Sequence, residues 1–102
     1  MRSIVLVDVD KIRPALVLTR DIALPLLNHV TIAPITSTIR GISTEVNLSE
    51  RNGLDHACVA TCDNIATVSK SAVVKQIGIL FDDQEDELST AIAHAFDLRL
   101  LR

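Results

Sequence analysis

One loop, residues 33–41 (APITSTIRG), places three consecutive hydroxyl side chains beside an arginine. Thr36, Ser37 and Thr38 can donate hydrogen bonds to phosphate oxygens, and Arg40 can add positive charge. The proline near the start of the loop has no N–H to donate, so strand pairing should weaken there. The loop therefore indicates a phosphate site, although hydroxyls that cap an ordinary polar turn give the same pattern.

Two further polar positions suit a nucleic-acid substrate. Arg13 precedes Pro14, which favours extended geometry at the arginine, so its guanidinium should project from the mouth of a strand. The planar fork of a guanidinium matches a phosphate group. Asn64 follows Asp63 between two β-rich segments, and its amide offers both a donor and an acceptor to a base edge. A surface arginine and a turn asparagine remain the ordinary alternatives.

The histidines and cysteines indicate little other chemistry. A two-histidine ribonuclease site built from His29 and His56 is a minor alternative, and His94 falls within a predicted helix. If Cys58 and Cys62 share one strand they lie ~13 Å apart, which is too far for a disulfide. No other cysteine or histidine stands at zinc spacing from them. We therefore expect buried, inert thiols, with no metal and no cofactor.

Composition narrows the function classes. The formal net charge of −3 argues against a general nucleic-acid binder but permits a local basic site. Aromatic residues make up 2% of the chain, namely Phe81 and Phe96, so contacts to RNA cannot rest on stacking platforms. Apolar residues make up 48%, which is enough for a packed core.

Chain length and the pattern of apolar runs predict one domain over residues 1–102. No apolar run approaches the roughly 20 residues that cross a bilayer. Asp8 and Asp10 interrupt the first apolar run, which argues against a signal peptide. We expect a cytoplasmic protein without a membrane segment.

Several β-rich segments and one C-terminal helix must position these residues. The predicted strands are 3–9, 14–19, 29–35, 43–48, 57–61, 65–68 and 73–80. A helix is predicted over about 83–96, where apolar residues recur at helical spacing, and Asp82 with Glu85 has capping-box spacing. The predicted fold is mostly β with a C-terminal helix, a small β-barrel.

Four stretches carry a family resemblance. They are IVLVDVDKIRPALVLTRD with an Arg-Pro-hydrophobic signature, VTIAPITSTIRGISTEV with a strand-loop-strand pattern, NGLDHACVATCDNIATVSKSAVVKQIGIL with an acidic-amide-Ile step, and the helical ELSTAIAHAFDL. In this order and spacing, over nearly the full length, they resemble the MazF/PemK (Kid) family of toxin endoribonucleases.

The resemblance implies an SH3-like small β-barrel of the CcdB/MazF/PemK type that forms a homodimer. It implies metal-independent cleavage of single-stranded RNA at short motifs, with 2′,3′-cyclic phosphate and 5′-hydroxyl ends. It also implies neutralisation by a MazE-like antitoxin whose acidic C-terminal segment covers the RNA site. The catalytic pair corresponds to Arg13 and Thr36 here. Further predicted substrate contacts are Lys11, Ser37, Thr38, Arg40, Thr44 and Asn64.

The chain departs from the family pattern at two places. Only Asp10, Lys11 and Ile12 separate the first strand from Arg13, where longer members carry a loop that contributes an acidic group. Asp10 is the candidate replacement for that group. Ala66 stands where many members have a basic residue, so one phosphate contact is missing. We therefore expect modest, selective RNA affinity.

Two other functions fit the same barrel. A CcdB-type toxin binds gyrase and cuts nothing, and it would act through bulky apolar residues near the C-terminus, for which the ending FDLRLLR is weak support. A barrel without activity could serve only as an antitoxin-binding partner, which the short first loop would permit. The Arg-Pro signature and the hydroxyl loop favour the nuclease.

Overall fold

The computed structural model describes residues 1–99. Within them the chain is mostly β with one C-terminal α-helix, as predicted. The strands are β1 (Arg2–Asp8), β2 (Ile12–Val17), β3 (His29–Thr36), β4 (Glu45–Leu48), β5 (Cys58–Thr61), β6 (Ala66–Ser69) and β7 (Val73–Leu80), and the helix is α1 (Glu85–Ala95). Short 3₁₀ helices connect them at Asp21–Leu26, Glu50–Asn52, Cys62–Asn64, Lys70–Ala72 and Asp82–Gln84. Residues 100–102, the end of the FDLRLLR segment, lie outside the described residues.

The strands form one curled antiparallel sheet in the order β4-β5-β3-β2-β1-β7. Along one edge β3 changes partner: residues 29–32 pair with β6, and Ile35 and Thr36 pair with β5. Pro34 lies between these two pairings, as its missing N–H predicts. The partner change at Pro34 brings the end of β3 to the mouth between β2 and β5, where the candidate site lies.

Both faces of the sheet are apolar, because successive strand residues point to opposite sides. Ile4 packs with Leu16, Leu80 and Leu88 of α1 in the larger cluster. The neighbour of Ile4, Val5, packs instead in a second cluster with residues of β2 and β3 on the opposite face. The helix covers the first face, and Leu24 of the first 3₁₀ helix packs against the second.

The cysteines are buried, as expected. Cys58 begins β5 and Cys62 begins the 3₁₀ turn after it, and both belong to the larger core cluster. Both thiols are free. Burial raises the pKa of Cys62 to about 11, so the thiol stays protonated and unreactive.

The start of the helix differs from the prediction. The helix begins at Glu85 after a 3₁₀ turn, and Asp82 does not pair with Glu85 in a capping box. Instead Glu85 accepts a hydrogen bond from Nε of Arg2 (2.9 Å), and the Oε1 atom of Gln84 accepts the N–H of Phe81 (3.0 Å). The capping prediction was wrong because the cap lies one residue earlier: Gln84 accepts the N–H of Phe81, which is the role that Glu85 was expected to have toward Asp82.

Candidate functional site

A cleft of about 490 Å³ opens between β2, the β3–β4 loop and the 3₁₀ turn that follows β5. Most of the predicted site residues line it: Arg13, Thr36, Thr38, Arg40, Thr44 and Asn64. They come from three separate parts of the sequence, and they meet because the end of β3 pairs with β2 on one side and with β5 on the other. The cleft is therefore where the arginine of the Arg-Pro signature and the hydroxyl loop meet.

The remaining predicted contacts lie beside this cleft. Ser37 lines an adjoining cleft of about 300 Å³ that shares Arg13 and Thr36 with the first. Lys11 is exposed in the β1–β2 turn, where its N–H donates to Oδ1 of Asp10 (2.9 Å). Neither cleft includes Lys11. Lys11 is thus adjacent to Arg13 in the chain but outside both clefts.

Arg13 forms a two-point ion pair with Asp10. Its Nε donates to Oδ1 (3.1 Å) and its NH2 group donates to Oδ2 (3.0 Å). Because Asp10 accepts these bonds, its pKa falls to about 2, which makes its carboxylate a weak base. The pair instead holds the guanidinium fork at the cleft rim, where the Arg13 side chain is 48% exposed.

Thr36 is the last residue of β3, and it is half-buried. Its Oγ1 accepts the N–H of Thr38 (3.1 Å), so the hydroxyl does cap the turn that follows. An accepting hydroxyl keeps its own hydrogen, which can donate to a further oxygen in the cleft. The capping role and a phosphate contact are therefore compatible in the same side chain.

Glu45 lines the cleft but was not among the site residues that the sequence predicted. Its carboxylate lines the cleft, although the residue is only 8% exposed, and it accepts N–H groups of Arg40, Gly41 and Ile42. Gly41 has a φ of +73°, a left-handed conformation that favours glycine. The sequence signal that could have found this contact is a lone acidic residue four positions after a glycine.

A second acidic side chain lines the cleft at Asp63. Its Oδ2 accepts a hydrogen bond from Oγ1 of Thr44 (2.6 Å), and the N–H of Cys62 donates to the Thr44 carbonyl (3.0 Å). These contacts tie the turn that carries Asn64 to the start of β4. The cleft therefore has mixed charge, because two arginines and two carboxylates line it: Arg13, Arg40, Glu45 and Asp63.

The structure does not assemble the two-histidine alternative. His29 begins β3 and Thr36 ends it, so they lie roughly 23 Å apart along the strand. His56 lies instead beside Thr36 in the adjoining cleft, paired with Asp55. Within residues 1–99, no three His, Cys, Asp or Glu side chains lie together as they would to hold a metal ion.

The family model for PemK-like, MazF-like toxins of type II toxin–antitoxin systems matches residues 2–96. The chain belongs to this family. It is 47% identical over 98 residues to endoribonuclease MazF3 of Mycobacterium tuberculosis H37Rv, covering 96% of this chain and 95% of that protein. The predicted family is therefore confirmed.

Solved structures of family members share the fold. The M. tuberculosis toxin MazF-mt6 superposes with a TM-score of 0.94 at 45% identity, covering 97% of this chain and 100% of that chain. A mycobacterial endoribonuclease in complex with its cognate antitoxin gives a TM-score of 0.85 at 23% identity, covering 97% and 95%. The predicted MazF-type small barrel with a C-terminal helix is confirmed by these superpositions.

Proposed function

We propose that this family member is a sequence-selective, metal-independent endoribonuclease toxin that cleaves single-stranded RNA. The observation that carries the proposal is that Arg13 and Thr36 line one cleft, in a chain that is 47% identical to an endoribonuclease. Neither side chain needs a metal or a cofactor to act on a phosphate. The products are a 2′,3′-cyclic phosphate and a 5′-hydroxyl.

The proposed reaction is an internal transfer at phosphorus. The ribose 2′-oxygen forms a bond to the adjacent phosphorus while the bond from phosphorus to the 5′-oxygen breaks. The 2′-hydroxyl loses its proton, and the departing 5′-oxygen gains one. Charge accumulates on the nonbridging oxygens as the five-coordinate phosphorane forms, so groups that stabilise this charge accelerate the reaction.

Arg13 is the proposed source of that stabilisation. Its guanidinium carries a fixed positive charge, and a phosphate can use the same donor fork that now holds Asp10. Thr36 donates its hydroxyl hydrogen to a nonbridging oxygen or positions the 2′-hydroxyl. Asp10 then orients Arg13 before the substrate arrives, since its lowered pKa makes it poorly suited to take a proton.

The remaining contacts are proposed to hold flanking nucleotides. Arg40 binds a neighbouring phosphate, and Thr38 donates its hydroxyl hydrogen within the same cleft. The hydroxyl of Thr44 donates to Asp63, so its oxygen accepts a hydrogen bond from the RNA. Asn64 offers a donor and an acceptor to a base edge. Ser37 contacts RNA that enters the adjoining cleft, and Lys11 adds charge beside it.

We also propose that a MazE-like antitoxin neutralises this protein and that the toxin is a homodimer in the cytoplasm. The neighbour solved with its cognate antitoxin supports the first part, because the two chains share the fold. An acidic peptide segment suits a cleft that presents Arg13 and Arg40. Over residues 1–99, no helix has the length and apolar character needed to span a membrane.

The test uses purified, antitoxin-free protein and a long single-stranded RNA in EDTA, with the new 5′ ends mapped. We expect discrete cuts at a recurring short motif, and a single 2′-deoxyribose at the cut site should abolish that cut. Cutting only after a divalent metal is added would refute the proposed mechanism. No cutting by a folded protein would favour an antitoxin-binding barrel, or a gyrase poison if gyrase is inhibited instead.

A further inference from the structure

A buried carboxylate organises the loop between β3 and β4. Glu45 is 8% exposed and opens β4, paired with Thr61 of β5. Its own N–H donates to the Ile42 carbonyl (3.1 Å), which closes the turn ahead of the strand. The carboxylate therefore extends from a fixed strand end back under the loop that it follows.

Backbone N–H groups surround this carboxylate. Oε1 accepts from Gly41 (2.9 Å) and Ile42 (3.3 Å), and Arg40 donates to Oε1 (3.3 Å) and Oε2 (3.1 Å). Successive N–H groups converge in this way when one residue is left-handed, which Gly41 provides. A buried carboxylate without such partners would be costly, so the loop and Glu45 stabilise each other.

We infer that Glu45 is a positioning residue that fixes Arg40 at the cleft and thereby sets RNA affinity. Both oxygens of Glu45 bind the N–H of Arg40, so the backbone from which the Arg40 guanidinium extends is held in place. The inference rests on the proposed function, since it assigns Arg40 to an RNA phosphate.

The chemistry itself does not depend on these contacts. Arg13 is held by Asp10, and Thr36 is the end of β3 and bonds the N–H of Thr38. Loss of the Glu45 contacts should therefore weaken binding while the catalytic pair keeps its geometry. The expected signature is a raised KM with a kcat close to the wild-type value.

The decisive variant is Glu45→Gln, because an amide keeps the shape but has one acceptor oxygen for three N–H groups. It should raise KM roughly tenfold, about the effect of one charge-assisted contact. Binding is measured on the same RNA with a 2′-deoxyribose at the cut site, which prevents cleavage. The slope of log K against log salt concentration should become shallower by ~0.7, as for Arg40→Ala. The double variant, Glu45→Gln with Arg40→Ala, should have the same KM and salt slope as Arg40→Ala alone, because Glu45 acts through Arg40.

Glu85→Gln is the matched control. Glu85 also accepts two hydrogen bonds, both from Nε of Arg2 (2.9 and 3.3 Å), but it lies at the start of α1 and lines neither the cleft nor the β3–β4 loop. It should leave KM and the salt slope unchanged. If Glu45→Gln does not fold, Gly41→Ala tests the same loop contacts. An added Cβ at Gly41 meets nothing within 4 Å, but it strains the left-handed backbone that directs the N–H groups at Glu45. A raised KM in that variant supports the inference.

Other outcomes overturn it. A wild-type KM and salt slope in Glu45→Gln, or in Gly41→Ala, would show that the loop contacts do not position Arg40. A full additional loss in the Arg40→Ala background would show that Glu45 acts by another route. In both cases wild-type cleavage persists and the proposed function stands. If the wild-type protein cuts no RNA, the function and this inference fail together.

Discussion

Replacing Arg13 with alanine should remove most RNA cleavage while leaving the fold intact. The side chain is 48% exposed, and within residues 1–99 its hydrogen bonds reach only Asp10 in the adjacent turn. A half-exposed ion pair contributes little to stability in water. In the proposed mechanism the same guanidinium faces the charge that develops on the phosphorane, where losing one preorganised donor typically lowers kcat by about 10²- to 10³-fold.

Arg51→Ala is the control for this prediction. Arg51 is 50% exposed and also forms a two-point pair, with Asp83 (2.8 and 3.1 Å), but neither residue lines either cleft. It additionally lies over the Phe81 ring at 4.5 Å, so its removal should destabilise the protein at least as much. Activity lost through instability would therefore appear in Arg51→Ala first.

The assay compares initial cleavage rates of the two variants in EDTA on one RNA, alongside their thermal unfolding. The expected result is near-wild-type cleavage by Arg51→Ala and a loss of at least about 100-fold by Arg13→Ala at similar Tm values. Full cleavage by a folded Arg13→Ala protein would refute the catalytic role. Equal losses in both variants would show that the effect reports on the fold and not on the cleft.

Three other substitutions test separate parts of the structure. Asp10→Asn should tighten RNA binding, because it frees the Arg13 fork, and should not move the acidic limb of kcat between about pH 4 and about pH 8. The reason is that the hydrogen bond from Arg13 lowers the pKa of Asp10 from 3.8 to about 2. The ion pair is therefore complete above the unfolded-state pKa and is lost only as pH falls toward the folded-state pKa of about 2. A shifted acidic limb would instead identify Asp10 as the base. Thr36→Val should lower kcat by roughly 100-fold, because it removes a hydroxyl without changing the shape of the side chain, and unchanged cleavage kinetics would exclude a role for that hydroxyl. Gly78→Ala should destabilise the protein by about 3 kcal/mol or more in urea unfolding. The new Cβ would overlap the Asn52 carbonyl oxygen and lie 2.7 Å from the carbonyl carbon, and these backbone atoms cannot rotate away. An unfolding midpoint equal to that of the wild type would contradict this packing.

Much of the fold could be predicted from local sequence pattern. Alternating and continuous apolar runs mark strands such as β1 and β7 to within a residue or two, and helical spacing marks α1. The start of β4 was predicted at residue 43 but lies at Glu45, because Ile42 and Glu45 close a turn there. Boundaries of this kind depend on backbone hydrogen bonds that no periodicity records.

The capping prediction shows why some local signals fail. Asp82 and Glu85 have the right spacing, but Gln84 bonds both the N–H of Phe81 and the buried amide of Asn52 (2.7 Å). Asn52 lies 32 positions away in the chain, so this competition exists only in the folded protein. A tertiary partner thus decides how the helix begins.

The sequence by itself determined which residues carry groups suited to a phosphate. Arg13 and Thr36 were identifiable from residue type, the prolines beside them and the family resemblance, but each also had an ordinary reading as a surface or turn residue. The tertiary structure decided that they share one cleft, because β2 and β3 pair antiparallel with Ala15 opposite Pro34, which brings the start of β2 to the end of β3. The contacts of Glu45 could be found only in the tertiary structure, because they are made by a loop that folds back over its carboxylate. Residue type alone gives no sign of this loop conformation.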